Sequence, residues 1–182
     1  MPNQPVIDVQ NLSIDYRIGK TWLNAVHDVD LTIRPLQIHG LVGESGSGKS
    51  TLGLGVMKYL ASNSRISNGK IIFDGQDITN LSLSNMRKLW GSQISLVPQN
   101  PLDSLNPSMT IQDQMAEVTQ LHLGLSRQQA IQRAIEALEN VKIADPKKVI
   151  KRFPHQLSGG MQQRVMIALA LSTRPKLLIL DE

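Results

Sequence analysis

The chain predicts an α/β fold, and three observations carry that reading. Ile38 to Val42 and Leu177 to Leu180 are short unbroken apolar runs, the pattern of strands buried on both faces of a parallel sheet. Segments near the N-terminus alternate apolar and polar residues, as half-buried antiparallel strands do. Between these regions lies a stretch with apolar residues at helical spacing. The order predicts a mainly parallel core sheet, an N-terminal antiparallel β subdomain, and a helical subdomain at approximately 100–160. With 182 residues, 41% of them hydrophobic and 19% charged, residues 1–182 read as one globular domain.

In chain order, Val6, Ile7 and Val9, then Leu12 and Ile14, then Val26, Val29, Leu31 and Ile33 alternate in strand fashion. A turn at Arg34-Pro35 leads into the apolar strand Ile38 to Val42. A glycine-rich loop then opens a helix over Ser50 to Leu60. Lys70 to Asp74 reads as one arm of a hairpin turned at Gly75, and Gln93 to Val97 as a strand ended by Pro98. Thr110, with Asp113 three residues on, is predicted to cap a helix that Gly124 ends. Ser126 and Gln129 make a second capping box. Behind it Ala130, Ile131, Ala134, Ile135, Leu138 and Val141 form one apolar face, read as core packing. Gln162 to Leu171 is a further helix, and Leu177 to Leu180 a short buried strand.

Composition removes several function classes. No apolar run approaches the ~20 residues that cross a bilayer. Met1 to Asp8 lacks the basic-then-apolar order of a signal peptide. Without cysteine there is no disulfide framework and no thiolate metal site, which fits a reducing compartment. The net charge of +4 is mild. Lys147, Lys148, Lys151 and Arg152 form a short basic knot, read as a solvated face. Aromatics at 3% offer little for base stacking, so no nucleic-acid partner is expected. His27, His39 and His122 show no metal-ligand spacing, and His155 is not read as a general base.

The chemistry concentrates in Gly43-Glu44-Ser45-Gly46-Ser47-Gly48-Lys49-Ser50, a phosphate-binding loop pattern between an apolar strand and a helix. Glycines are needed because backbone N–H groups must curl around phosphate oxygens, where a Cβ would obstruct. The helix that begins at Ser50 and Thr51 adds its positive end. Lys49 is expected to reach the β- and γ-phosphates and Ser50 to ligate Mg²⁺. The strand Leu177 to Leu180 delivers Asp181 and Glu182 at its C-terminal edge, where ligands of open α/β sheets bind. Asp181 suits the Mg²⁺ shell, and Glu182 suits polarisation of an attacking water, a role worth ~10²–10⁴ in rate. Leu157-Ser158-Gly159-Gly160-Met161-Gln162-Gln163-Arg164 makes a second anion site, because Ser158 can cap the following helix while Gly159 and Gly160 expose N–H groups.

Together these motifs resemble the nucleotide-binding domain of ABC transporters, a P-loop NTPase, and the resemblance covers essentially the whole chain. It implies an ATPase that binds ATP and Mg²⁺ and yields ADP and phosphate. Ser158, Gly159 and Gly160 would grip the γ-phosphate of ATP held by an opposite subunit, so that two domains, identical or related, close head to tail. The family's usual Gln is replaced by Met161, as in many peptide-importer members. Gln99, in Leu96-Val97-Pro98-Gln99-Asn100-Pro101, looks like the Q-loop that touches Mg²⁺ or its water. Tyr16 sits where the family often stacks an aromatic on adenine, and Trp22 is a poorer candidate.

Asn100-Pro101 through Leu105-Asn106-Pro107, Phe153-Pro154-His155-Gln156-Leu157 and Met161 to Leu171 look like the ATP-binding subunits of bacterial dipeptide, oligopeptide and nickel importers. The resemblance implies a peripheral subunit on the cytoplasmic face of the inner membrane. It would dock to transmembrane permease subunits that a substrate-binding protein feeds. Family members continue past the glutamate with a further turn, a strand and a switch histidine, so the chain is expected to be incomplete at its C-terminus. The isolated 182 residues are accordingly expected to fold poorly or aggregate. Two alternatives stay open: an inactive truncated remnant, and a soluble ABC ATPase of repair or translation, whose coiled-coil or tandem features are not seen here.

Overall fold

The computed structural model describes residues 4–100 and 104–181. Its packing divides into two compact units, Met1–Arg87 and Lys88–Glu182.

In the first unit, β1 (Ile7–Ile18) lies between β2 (Thr21–Ile33) and β3 (Ser64–Phe73), and β4 (Gln76–Asp77) borders β3. All neighbours are antiparallel. The separate strand segments expected before Ile33 are two long strands, joined at Gly19, whose φ of 62° suits a tight hairpin turn. Register breaks in β1 between Val9 and Leu12, and between Leu12 and Ile14, keep Ile7, Val9, Leu12 and Ile14 all buried. One bulge residue, Asn11, has φ 49°. Opposite it β3 carries Gly69 at φ 93°, where a Cβ would lie 2.5 Å from the Asn11 carbonyl oxygen. Of Lys70 to Asp74, expected as a short arm, Lys70 to Phe73 are the last part of this ten-residue strand, and Asp74, at φ 48°, belongs to the turn.

A charged group is buried in the same sheet. The Asp15 carboxylate accepts from Asn24 Nδ2 at 3.0 Å and from Arg65 Nε and Nη2 at 3.2 and 3.1 Å. Arg65 also lies 4.1 Å over the Trp22 ring, a cation–π contact. These donors, Asn24 foremost, hold the Asp15 carboxyl below the usual aspartate range.

Helix α1 (Lys49–Val56) buries Leu52, Gly55 and Val56. Gly55 is needed for close approach, since a Cβ there would meet Ile14 Cδ1 at 2.3 Å. The helix ends before the expected Leu60: Lys58 turns to φ 54°, and its ammonium donates to the Leu81 carbonyl at 2.8 Å. A further short helix, α2 (Leu83–Leu89), follows Ser82, whose carbonyl accepts from the Met86 N–H at 3.0 Å, and buries Met86.

Ile38 to Val42 is not a strand. No strand among the described residues pairs with it, and Ile38 and Val42 are 100% and 94% exposed. Apolar character alone does not make a strand; neighbouring backbone must take its N–H and C=O groups, and here none does.

The second unit supplies the parallel pairing. Strand β5 (Ile94–Val97) runs beside β6 (Leu177–Leu180), with Ile94 opposite Leu177 and Val97 opposite Leu180. Four helices accompany them: α3 (Ile111–Leu123), α4 (Arg127–Asn140), α5 (Pro146–Val149) and α6 (Gly159–Leu171). Ile111, Met115, Ala134, Leu138, Ile150 and Val165 are among the buried residues of their shared core.

The predicted caps form. Thr110 Oγ1 accepts from the Asp113 N–H at 3.1 Å, Gly124 takes φ 66°, and Ser126 and Gln129 exchange both bonds of a capping box. The Asp113 carboxylate also accepts from the Thr110 hydroxyl and from Arg127, which together hold its pKa down. Helices α4 and α6 cap each other. Arg133 of α4 donates to the Ser172 carbonyl just past α6 at 2.9 Å. Arg164 of α6 donates to the Lys142 and Val141 carbonyls just past α4 at 3.0 and 3.3 Å.

Candidate nucleotide site

The phosphate loop runs from the unpaired segment into α1, and its shape has local causes. Gly46 and Gly48 adopt φ 80° and 92°, conformations that L side chains rarely take. Gly48 is the helix N-cap, without a side chain to bond the first turn. A Cβ there would also sit 2.7 Å from the Ala25 carbonyl oxygen on β2. At Gly43 a Cβ would meet Ser47 Oγ at 2.8 Å.

Lys49 closes the loop. Its ammonium donates to the Gly43 and Glu44 carbonyls at 2.9 and 2.8 Å, and the Ser47 N–H returns to the Glu44 carbonyl at 3.2 Å. Gly43 to Ser47 and Ser50 are exposed, while Gly48, Lys49 and Thr51 are half-buried. Left-handed glycines, free space at the Gly46 Cβ position, a helix N-terminus and one fixed cation are the parts from which backbone anion sites are built. That chemistry fits the phosphates of a nucleotide.

Gln99 and Asp181 come from the second unit, where β5 and β6 end side by side. Val97 pairs with Leu180, and the Asp181 N–H donates to the Val97 carbonyl at 3.0 Å. Both residues therefore emerge from the C-terminal edge of the same strand pair. Among the described residues no cluster of three His, Cys, Asp or Glu could hold a metal. Within the second unit, the adjoining strand ends carry an amide on Gln99 and a carboxylate on Asp181; the first unit separately carries the Ser50 hydroxyl. Each is a hard oxygen donor of the kind Mg²⁺ accepts. Glu182 and Pro101 lie outside the described residues.

Ser158 occupies the N-cap of α6, but its side chain makes no capping bond. Its carbonyl accepts from the Gln162 N–H at 2.9 Å. Gly159 and Gly160 are exposed, and a Cβ on either would meet nothing within 4 Å. His155 stacks on Phe153 at 5.6 Å in the turn Pro154–Gln156.

Tyr16 is half-buried on β1, opposite Leu23 and Ser64. Trp22 already has Arg65 over its ring.

One residue beside the site was not singled out from the sequence. Gln162 is buried, and its Nε2 donates to the Pro154 and Leu157 carbonyls at 2.9 and 3.0 Å. A buried glutamine beside two glycines carries a detectable signal, because an amide is placed inside only with partners.

A family model described as ABC transporter matches residues 26–182, and the chain belongs to that family. A Brucella abortus protein, provisionally named a peptide import ATP-binding protein, is 45% identical over 179 residues, covering 98% of this chain and 54% of that protein. The oligopeptide transport ATP-binding protein OppD of Salmonella typhimurium is 42% identical, covering 100% of this chain and 54% of its own. The chain thus spans about half the length of the curated relatives it matches. Among solved structures, the dimeric ATP-binding cassette MJ0796 bound to ADP and Pi superposes with TM-score 0.85 at 26% identity, over 97% of this chain and 73% of that one. CbiO1 of Clostridium perfringens, part of the cbiONQ transporter complex, gives TM-score 0.78 at 26% identity, over 99% of this chain and 66% of that one.

Proposed function

We propose that the chain is the ATP-binding and ATP-hydrolysing part of an ABC importer for di- or oligopeptides. The carrying observation is the phosphate loop, whose left-handed Gly46 and Gly48 and inward Lys49 ammonium suit a triphosphate. Gly43 to Thr51 would hold the phosphates, and Tyr16 would lie against the adenine ring. Mg²⁺ would be held through Ser50, Gln99 and Asp181, and when bound it would neutralise phosphate charge. Glu182 would orient and polarise the attacking water. Ser158, Gly159 and Gly160 would serve the nucleotide of a second ATP-binding subunit, identical or related. Kinship with proteins named for peptide and oligopeptide transport supports the solute class. No helix among the described residues is long and apolar enough to cross a membrane. By kinship with these transport proteins, the subunit would work from the cytoplasmic membrane face, docked to permease subunits that a substrate-binding protein feeds.

Two substitutions in the intact subunit, assayed with its permease, test this reading. Lys49→Ala is expected to abolish tight MgATP binding. Glu182→Gln is expected to retain binding, stop turnover and accumulate a closed dimer. Normal hydrolysis by Glu182→Gln would remove the assigned base.

A further inference from the structure

Two features fix the body of α6, and neither reaches its first turn. Val165 and Ala168 are fully buried. Arg164 and Arg133 bolt the helix to α4 through the carbonyls past each helix end. The N-terminal turn, by contrast, is exposed, built of two glycines, and lacks a side-chain cap. Leu157 is buried, which anchors its side chain but leaves the orientation of its peptide plane to hydrogen bonding.

Gln162 supplies that bonding twice over. Its side-chain Nε2 donates to the Leu157 carbonyl at 3.0 Å, and its backbone N–H donates to the Ser158 carbonyl at 2.9 Å. Peptide planes are trans throughout the described chain, so C=O and N–H point to opposite sides of each plane. Holding the Leu157 carbonyl toward Gln162 turns the Ser158 N–H away from it. Holding the Ser158 carbonyl does the same for the Gly159 N–H. A second donation, to the Pro154 carbonyl at 2.9 Å, ties the preceding turn to the same amide.

The amide cannot be reversed, because Oε1 would then face two carbonyl oxygens. In the orientation present, Oε1 is buried with no hydrogen-bond partner. A buried unpaired acceptor is destabilising.

We propose that Gln162 is a positioning residue that aims the Ser158 and Gly159 N–H groups at the phosphate of a nucleotide held by a second subunit. The proposal rests on the reading of Ser158 to Gly160 as an anion site given above. Gln162 itself touches no nucleotide.

The test uses the intact subunit with Gln162→Met, which keeps the length of the side chain and removes both the donor and the orphaned oxygen. Thermal midpoint, nucleotide affinity of the monomer, ATP-driven dimerisation and turnover are measured together. The expected result is an unchanged midpoint and unchanged monomer affinity, with dimerisation weakened about tenfold, the value of one to two hydrogen bonds. Turnover at saturating ATP falls with it. Gln162→Lys, which restores a donor on a long stem, is expected to recover most of the loss. If Gln162→Met dimerises and turns over like the parent, the positioning role is overturned while the ATPase reading stands. If Met and Lys variants are equally impaired, the donor is irrelevant and the proposal falls. A parent protein that neither dimerises with ATP nor hydrolyses it overturns both.

Discussion

Gly48 carries two independent restrictions, a φ of 92° and an Ala25 carbonyl oxygen 2.7 Å from where a Cβ would stand. Each alone disfavours a side chain, and together they rule out relief by a small backbone shift. Gly48→Ala is therefore expected to strain the loop by roughly 1–3 kcal/mol and to weaken nucleotide binding more than global stability. Paired binding isotherms and melts of the intact subunit would show this. Binding equal to the parent's would refute it. Asp15 makes a different residue-scale prediction. Its carboxyl is held below the usual 3.8, so the folded state releases that proton more readily than the unfolded chain. The resulting stability is full above 3.8 and is lost as pH falls through the lower folded value. In denaturant titrations across the acid range, Asp15→Asn is expected to show a shallower fall in stability than the parent. Parallel curves would disprove the linkage.

Helix ends show which elements can be read without a structure. The Thr110, Gly124 and Ser126 caps were legible because a cap is satisfied by residues within three positions of itself. Thr110→Ala should cost about 0.5–2 kcal/mol, seen as a lower denaturant midpoint at unchanged slope. The start of α1 after the glycine-rich loop was legible for the same local reason, while its end, at Val56 and not Leu60, was not. Ile38 to Val42 was not, since its strand character depends on neighbours that hydropathy cannot supply. The helix α6, expected over Gln162 to Leu171, begins already at Gly159. There the Ser158 carbonyl accepts the first helical bond, and propensity yields to that bond and to the packing of the turns beyond. The bulge at Asn11 was equally hidden, as it depends on Gly69 some sixty residues away in a paired strand.

At the scale of the molecule, Leu36, Ile38, Leu41 and Val42 are all exposed within one short stretch. Apolar runs of this kind drive association between chains. The isolated 182-residue chain is expected to aggregate in light scattering, and the double change Ile38→Lys, Val42→Lys to reduce it. Unaltered scattering would place the cause elsewhere. The glycines divide the chain in another way. Gly48, Gly55 and Gly69 answer to atoms of the chain itself, whereas Gly159 and Gly160 answer to none within 4 Å. In a library of single variants scored for cellular abundance and for growth on a transported solute, those at Gly55 and Gly69 should fail both selections. Variants at Gly159 and Gly160 should stay abundant and fail only the second. Those two positions would then record the outline of a surface that belongs to another molecule.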